Sequence, residues 1–229
     1  MNLLQTLLQE HEKLHFSLID PDKQAPKKAG EIAKTCADYG THAIMIGGTT
    51  VHNRTLVYDT VDAVRKKVDL PVILFPNSAE AISENIEYIL FMMLLNSTDN
   101  RYLGGEQAKG ALLVKKWGIK PISTGYVVVS TSRRPTTIEQ AVPLDRIGRD
   151  DIEKAVSYAL YAEMSGMSCV YFDAGSGAEQ PVSNEMVAAI RDAISIPIII
   201  GGGINDGKTA REKTDAGADV IVNGTLVED

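Results

Sequence analysis

The sequence predicts a (β/α)8 barrel, the TIM-barrel fold, in a single domain over residues 1–229. Three observations carry this. Short apolar runs rich in β-branched residues alternate with segments of helical period, and the count of such runs is eight. Both faces of each run are apolar, as in parallel strands buried on both sides. Small-residue and acidic motifs follow several of the runs along the whole chain, the pattern expected when strand ends ring one mouth. A doubly wound open sheet is the alternative, but the first unit has no G-x-G-x-x-G turn.

The strand runs are residues 15–19, 43–46, 71–75, 88–95, 121–129, 168–173, 197–200 and 219–222. Over 88–95, periodicity alone does not separate a buried strand from a buried helix. Between the runs, 26–39 carries Ile32, Ala33, Cys36 and Ala37 on one stripe, with Gly40 as C-cap. Segment 54–68 repeats Val57, Val61, Val64 and Val68 at helical spacing. Segment 107–117 ends in Lys115-Lys116 before Gly118, where the helix dipole favours cations. Helices are also predicted over 151–165, 184–193 and 208–216. Segment 78–87 is short and fits a full helix poorly, so one unit is expected to be irregular. The connection 130–150 is long for a compact domain, which marks a functional or mobile loop on the active face.

Composition narrows the function. The net charge of -7 argues against a nucleic-acid binder, which would show a basic face. Cys36 and Cys169 are too few for a disulfide framework and fall on core faces, where they are expected to be inert. The longest apolar run, 89–95, is far short of the roughly 20 residues that a spanning helix needs. The N-terminus has no signal-peptide pattern, so the expected compartment is the cytoplasm.

The strand-end motifs supply the chemistry. After the first strand, Asp20-Pro21-Asp22-Lys23 offers carboxylates suited to a hard cation such as Mg²⁺; a polar turn capping the next helix would use the same residues. After the second, Gly47-Gly48-Thr49-Thr50 permits close backbone approach and adds hydroxyl oxygens, or makes a tight turn. The sixth strand ends in Tyr171-Phe172-Asp173-Ala174-Gly175-Ser176-Gly177, the seventh in Gly201-Gly202-Gly203-Ile204 and the eighth in Asn223-Gly224-Thr225. Glycine turns after the last strands of a barrel are a frequent phosphate site. His11, His15, His42 and His52 have no zinc-like spacing and read as structural or surface residues. Met92-Met93 and Trp117 read as packing. Arg133-Arg134 suits either a diphosphate clamp or a solvated pair. A G-x-S-x-G motif is absent. The residues describe an enzyme with a phosphate pocket and a Mg²⁺ site at one mouth, acting on phosphorylated small molecules.

These motifs, together with His15 through Lys23, resemble the geranylgeranylglyceryl phosphate synthase family and its bacterial PcrB-type relatives, from about residue 14 onward. Leu95-Asn96-Ser97 and the segment from Ala218 to Glu228 resemble its larger, oligomeric branch. The resemblance implies transfer of a geranylgeranyl group from its diphosphate to the 3-hydroxyl of sn-glycerol 1-phosphate, the ether-forming step of archaeal-type membrane lipid synthesis. It implies Mg²⁺, held by Asp20 and Thr49, and no organic cofactor. It places glycerol 1-phosphate on Tyr171, Phe172, Asp173, Ala174, Gly175, Ser176, Gly177, Gly202, Gly203, Gly224 and Thr225. Asp173 would accept the hydroxyl proton and Tyr171 would position the substrate; the family usually carries Glu where this chain has Asp173. An apolar groove near 78–87 would take the prenyl tail, with Met92, Met93 and Tyr102 as expected lining. A homo-oligomer and transient contact with a membrane surface are further expectations. The family continues into a final helix past the position of Asp229, so the eighth unit is expected without it. A phosphosugar isomerase or aldolase would want a Lys or a Glu/His pair at the mouth, where only Lys23 offers itself; a non-catalytic phosphate-binding scaffold is the other alternative.

Overall fold

A computed structural model describes residues 2–224. Eight parallel strands close into a barrel in chain order: β1 (Leu14–Ile19), β2 (Ala43–Gly47), β3 (Val72–Phe75), β4 (Tyr88–Leu94), β5 (Lys120–Val128), β6 (Cys169–Asp173), β7 (Ile198–Gly201) and β8 (Val220–Asn223). β1 pairs with both β2 and β8, which completes the ring. All the predicted strands are present, including the ambiguous 88–95 run, which pairs with β5 along its full length. Closure leaves no sheet edge, so every strand backbone is hydrogen-bonded on both sides.

Alternation along the strands sorts side chains into two environments. Leu14, Phe16, Met45, Ile73, Leu90, Ile122, Tyr126, Tyr171 and Ile199 fill the barrel interior. Their neighbours, such as Ile44, Ile46, Leu74, Val170, Phe172 and Ile200, face outward under the helices. The outer layer is α2 (Pro26–Asp38), α3 (Arg54–Arg65), α4 (Glu106–Lys116), α6 (Ile152–Met164), α7 (Asn184–Ala193) and α8 (Gly207–Asp215). The stripe Val57, Val61 and Val64 of α3 is buried, as its spacing predicts.

Two helices were not predicted. α1 (Leu3–Glu10) precedes the barrel and buries Leu4 and Leu7 against the interior residues at its base. Its start is fixed by a capping box of Asn2 with Gln5. α5 (Thr137–Ala141) sits in the long β5–α6 connection. That connection is pinned: Glu139 accepts from Ser130, from the Thr136 N–H and from the Thr136 hydroxyl. Thr131 donates to the Gln180 carbonyl, and Ser132 accepts from the Glu179 N–H.

The irregular unit lies where the sequence placed it. After β3 there is a single 3₁₀ turn, Ala79–Ala81, and no α-helix. After β4 a π-type turn, Arg101–Gly105, leads into α4. α4 comes close over the 3₁₀ segment because Gly110 has no side chain; a Cβ there would lie 2.6 Å from Ile82 Cδ1. The expectation about the final helix, and Thr225 itself, lie outside the described residues.

Leu4→Ala is expected to destabilise the protein by about 2–5 kcal/mol, because it opens a cavity at the barrel base. A lower urea midpoint with unchanged slope would report it.

Candidate active site

The C-terminal strand ends surround a cavity of about 510 Å³. The inward register of β6 points Tyr171 and Asp173 into it, while Phe172 and Ala174 point outward into the helix-facing core. The last two therefore contribute backbone and packing, and their side chains do not line the cavity. Asp173 is buried, and both its oxygens are engaged. The Tyr126 hydroxyl donates to Oδ2 at 2.6 Å, and the Gly175 N–H donates to Oδ1 at 2.9 Å. Burial pushes the Asp173 carboxyl up from its ordinary range, and these two hydrogen bonds offset only part of that rise. Burial and the adjoining Asp173 charge push the Tyr126 and Tyr171 hydroxyls well above the ordinary phenol range, so both stay protonated.

Phe75, Tyr126 and Tyr171 make the cavity floor, with ring centroids 5.2–5.9 Å apart in edge and tilted contacts. Tyr126 and Phe75 were not among the predicted site residues. The signal was available in parity: Tyr126 stands two residues before the end of β5, on the inward face.

The glycine turns close around this carboxylate. Gly202 has φ +77°, and a Cβ on it would lie 2.6 Å from the Gly175 nitrogen and 2.7 Å from Asp173 Oδ1. The turn after β7 is thus packed onto the turn after β6, and no other residue fits there. Gly175, Ser176, Gly177, Gly202, Gly203 and Gly224 all line the cavity. On the opposite wall stand Asp20, Asp22, Lys23 and Thr49. The Asp20 carboxylate lies directly on Gly48, where a Cβ would come within 2.4 Å of it. Asp22 accepts from the Thr50 hydroxyl at 2.7 Å. This wall presents only oxygen donors and a Lys, and among the described residues no cluster of three His, Cys, Asp or Glu could hold a metal by itself.

Beside the cavity runs a groove of about 230 Å³, in the space left by the missing helix after β3. Thr49, Tyr126 and Ile138 line both, so the two adjoin. Met92 and Tyr102 line the groove, whereas Met93 faces outward against the helix-side core, because strand neighbours alternate. His52, read as surface or structural, also lines it. His15 and His42 are structural: the His15 ring meets Asn223 Oδ1 at 3.1 Å, and His42 accepts the His15 N–H. Arg133 and Arg134 are exposed and away from the cavity. Burial pushes the Cys169 thiol up to about 12 inside the barrel, which keeps it protonated.

The sequence profile described as the PcrB family matches residues 6–229. The chain belongs to the PcrB family. Its relatives in the family include the geranylgeranylglyceryl phosphate synthase of Pyrococcus abyssi (strain GE5 / Orsay), 43% identical over 221 residues that cover 96% of this chain and 86% of that protein. The protein of the same name from Methanothrix thermoacetophila is 44% identical over 216 residues, 94% of this chain and 84% of that one. Among PcrB-like structures, (S)-3-O-geranylgeranylglyceryl phosphate synthase from Thermoplasma acidophilum, solved in complex with sn-glycerol-1-phosphate, has a TM-score of 0.94 at 36% identity and covers 100% of this chain and 92% of that chain.

Because folding raises the Asp173 pKa, its ionised form costs stability at pH values above the unfolded-state pKa. Asp173→Asn is therefore expected to melt at the same or a higher temperature at pH 7, in a thermal scan, while any turnover that needs the carboxylate falls by about 10²–10⁴. In the parent protein, kcat/KM is expected to fall on acidification with an apparent pKa above the ordinary aspartate range.

Proposed function

We propose that this PcrB-family chain transfers a geranylgeranyl group from geranylgeranyl diphosphate to the 3-hydroxyl of sn-glycerol 1-phosphate, forming an ether and releasing diphosphate. The observation that carries the reading is the shared wall of the two spaces: a glycine-walled cavity with a buried carboxylate adjoins a mostly apolar groove. The names of the relatives and the substrate bound in the Thermoplasma acidophilum structure agree with it.

In this reading the turns at 176–177, 202–203 and 224 hold the phosphate through backbone N–H groups. Tyr171 positions the glycerol. Asp173 orients the 3-hydroxyl and takes its proton as the C–O bond forms, and Tyr126 and the Gly175 N–H keep the carboxylate aimed. The prenyl tail lies in the groove with its C1 at the junction lined by Thr49, Tyr126 and Ile138. The low-dielectric aromatic floor keeps water from competing with the hydroxyl for that carbon.

A cation is the remaining requirement. The cavity carries Asp20, Asp22 and Asp173 against Lys23, so an incoming diphosphate meets net negative charge. The hard oxygen donors of the Asp20–Thr49 wall fit Mg²⁺, which binds through one or two carboxylates together with substrate phosphate. Bound there, Mg²⁺ would neutralise the diphosphate and make it a better leaving group. Asp20 and Thr49 are its proposed ligands.

Incubation with sn-glycerol 1-phosphate, geranylgeranyl diphosphate and Mg²⁺ is expected to give the ether product by mass spectrometry, with loss of product in EDTA and in Asp20→Asn. Folded protein that binds sn-glycerol 1-phosphate but forms no ether with any prenyl diphosphate would overturn the reading.

A further inference from the structure

We propose that Glu106 is a positioning residue that sets the width of the groove and, through it, the length of the prenyl chain accepted. This rests on the prenyl-transfer reading of the site. Glu106 opens α4, and its side chain is buried with both oxygens engaged. Oε2 accepts the Ala79 N–H at 2.9 Å, from the 3₁₀ turn on one side of the groove. Oε1 accepts from Arg101 Nε at 2.9 Å and from Lys109 Nζ at 2.8 Å. Arg101 belongs to the π-type turn that runs into α4, and its guanidinium lies 5.3 Å from the centre of the Tyr102 ring. Ala79, Arg101, Tyr102 and Glu106 itself all line the groove. One carboxylate therefore ties its two walls together.

The tie is strong where it needs to be. Burial pushes the Glu106 carboxyl up, but the hydrogen bonds from Lys109, the Ala79 N–H and Arg101 outweigh it and hold the group at about 2. It is a charged clamp at every physiological pH. The neighbouring Gln107 fixes the same turn by donating to the Tyr102 carbonyl at 3.2 Å and to the Met92 carbonyl. The walls it joins are a 3₁₀ turn and a π-type turn, both less regular than α-helix and less able to hold a spacing by themselves. Replacing the carboxylate by an amide keeps its shape but sets an N–H₂ against donors, so one wall is released without a cavity opening.

The test is steady-state kinetics of Glu106→Gln with geranylgeranyl, farnesylgeranyl and heptaprenyl diphosphates as donors. The expected result is a rise of about tenfold in KM for geranylgeranyl diphosphate, with KM for sn-glycerol 1-phosphate within about twofold and a preference for geranylgeranyl over the longer donors weakened about fivefold. Arg101→Ala, which alters a half-exposed side chain, is expected to shift the donor preference in the same direction. If Arg101 served only to bind diphosphate, every donor would weaken equally and the preference would not move. Unchanged donor preference in either folded variant, or a parallel rise in both KM values, overturns the proposal while leaving prenyl transfer in place. No ether product from the parent protein with any donor overturns both.

Discussion

The Tyr126 hydroxyl reaches across from β5 to the Asp173 carboxylate at the end of β6, and much of the barrel mouth follows from that contact. A carboxylate sunk among aromatic rings loses its hydration, and the loss is tolerable only when its lone pairs are filled. Tyr126 fills one oxygen and the Gly175 N–H the other. The backbone at Gly175 must then turn back toward the strand, and the next turn must lie against it without a side chain, which is the role of Gly202. The same constraint explains why the β6 and β7 turns pack together as one wall. The result is a carboxylate kept above its ordinary pKa by burial and facing the cavity at the mouth.

The second constraint is an omission. A barrel with every helix present would cover the outer face of β3 and β4 at this end. Here the chain after β3 makes only a 3₁₀ turn, and the space becomes a groove adjoining the cavity. Leaving out a helix removes a rigid wall as well as opening a space. The replacement walls are short irregular segments, and the buried Glu106 holds them together. Cavity and groove thus depend on two buried carboxylates used in opposite ways. Asp173 accepts from two neutral donors, the Tyr126 hydroxyl and the Gly175 N–H, and burial raises its pKa; Glu106 meets two cations and a backbone N–H, and its pKa is lowered.

Much of this was readable from the chain. The eight strands, the irregular third unit and the glycine turns at 175–177 and 202–203 follow from local pattern. Where the reading missed, the reason is spatial. Tyr126 and Phe75 lie far from the other site residues in sequence and join them only when the sheet closes. Phe172 and Ala174 belong to the signature motif, yet strand alternation turns them away from the cavity, as it does Met93 from the groove. α1 is short and precedes the first strand, and the apolar face that identifies it needs the barrel base as a partner.

By itself the sequence determined the barrel and the location of its chemistry, because hydrophobic period and turn glycines are local and the strand ends of a closed barrel must meet. It also identified the family. Only the tertiary structure decided which side chains of each motif face the substrate space, that Tyr126 is the partner of Asp173, and that Glu106 joins the groove walls. Those are contacts between strands and turns brought together by closure of the sheet, and their directions depend on register and inward parity, which no stretch of sequence carries alone.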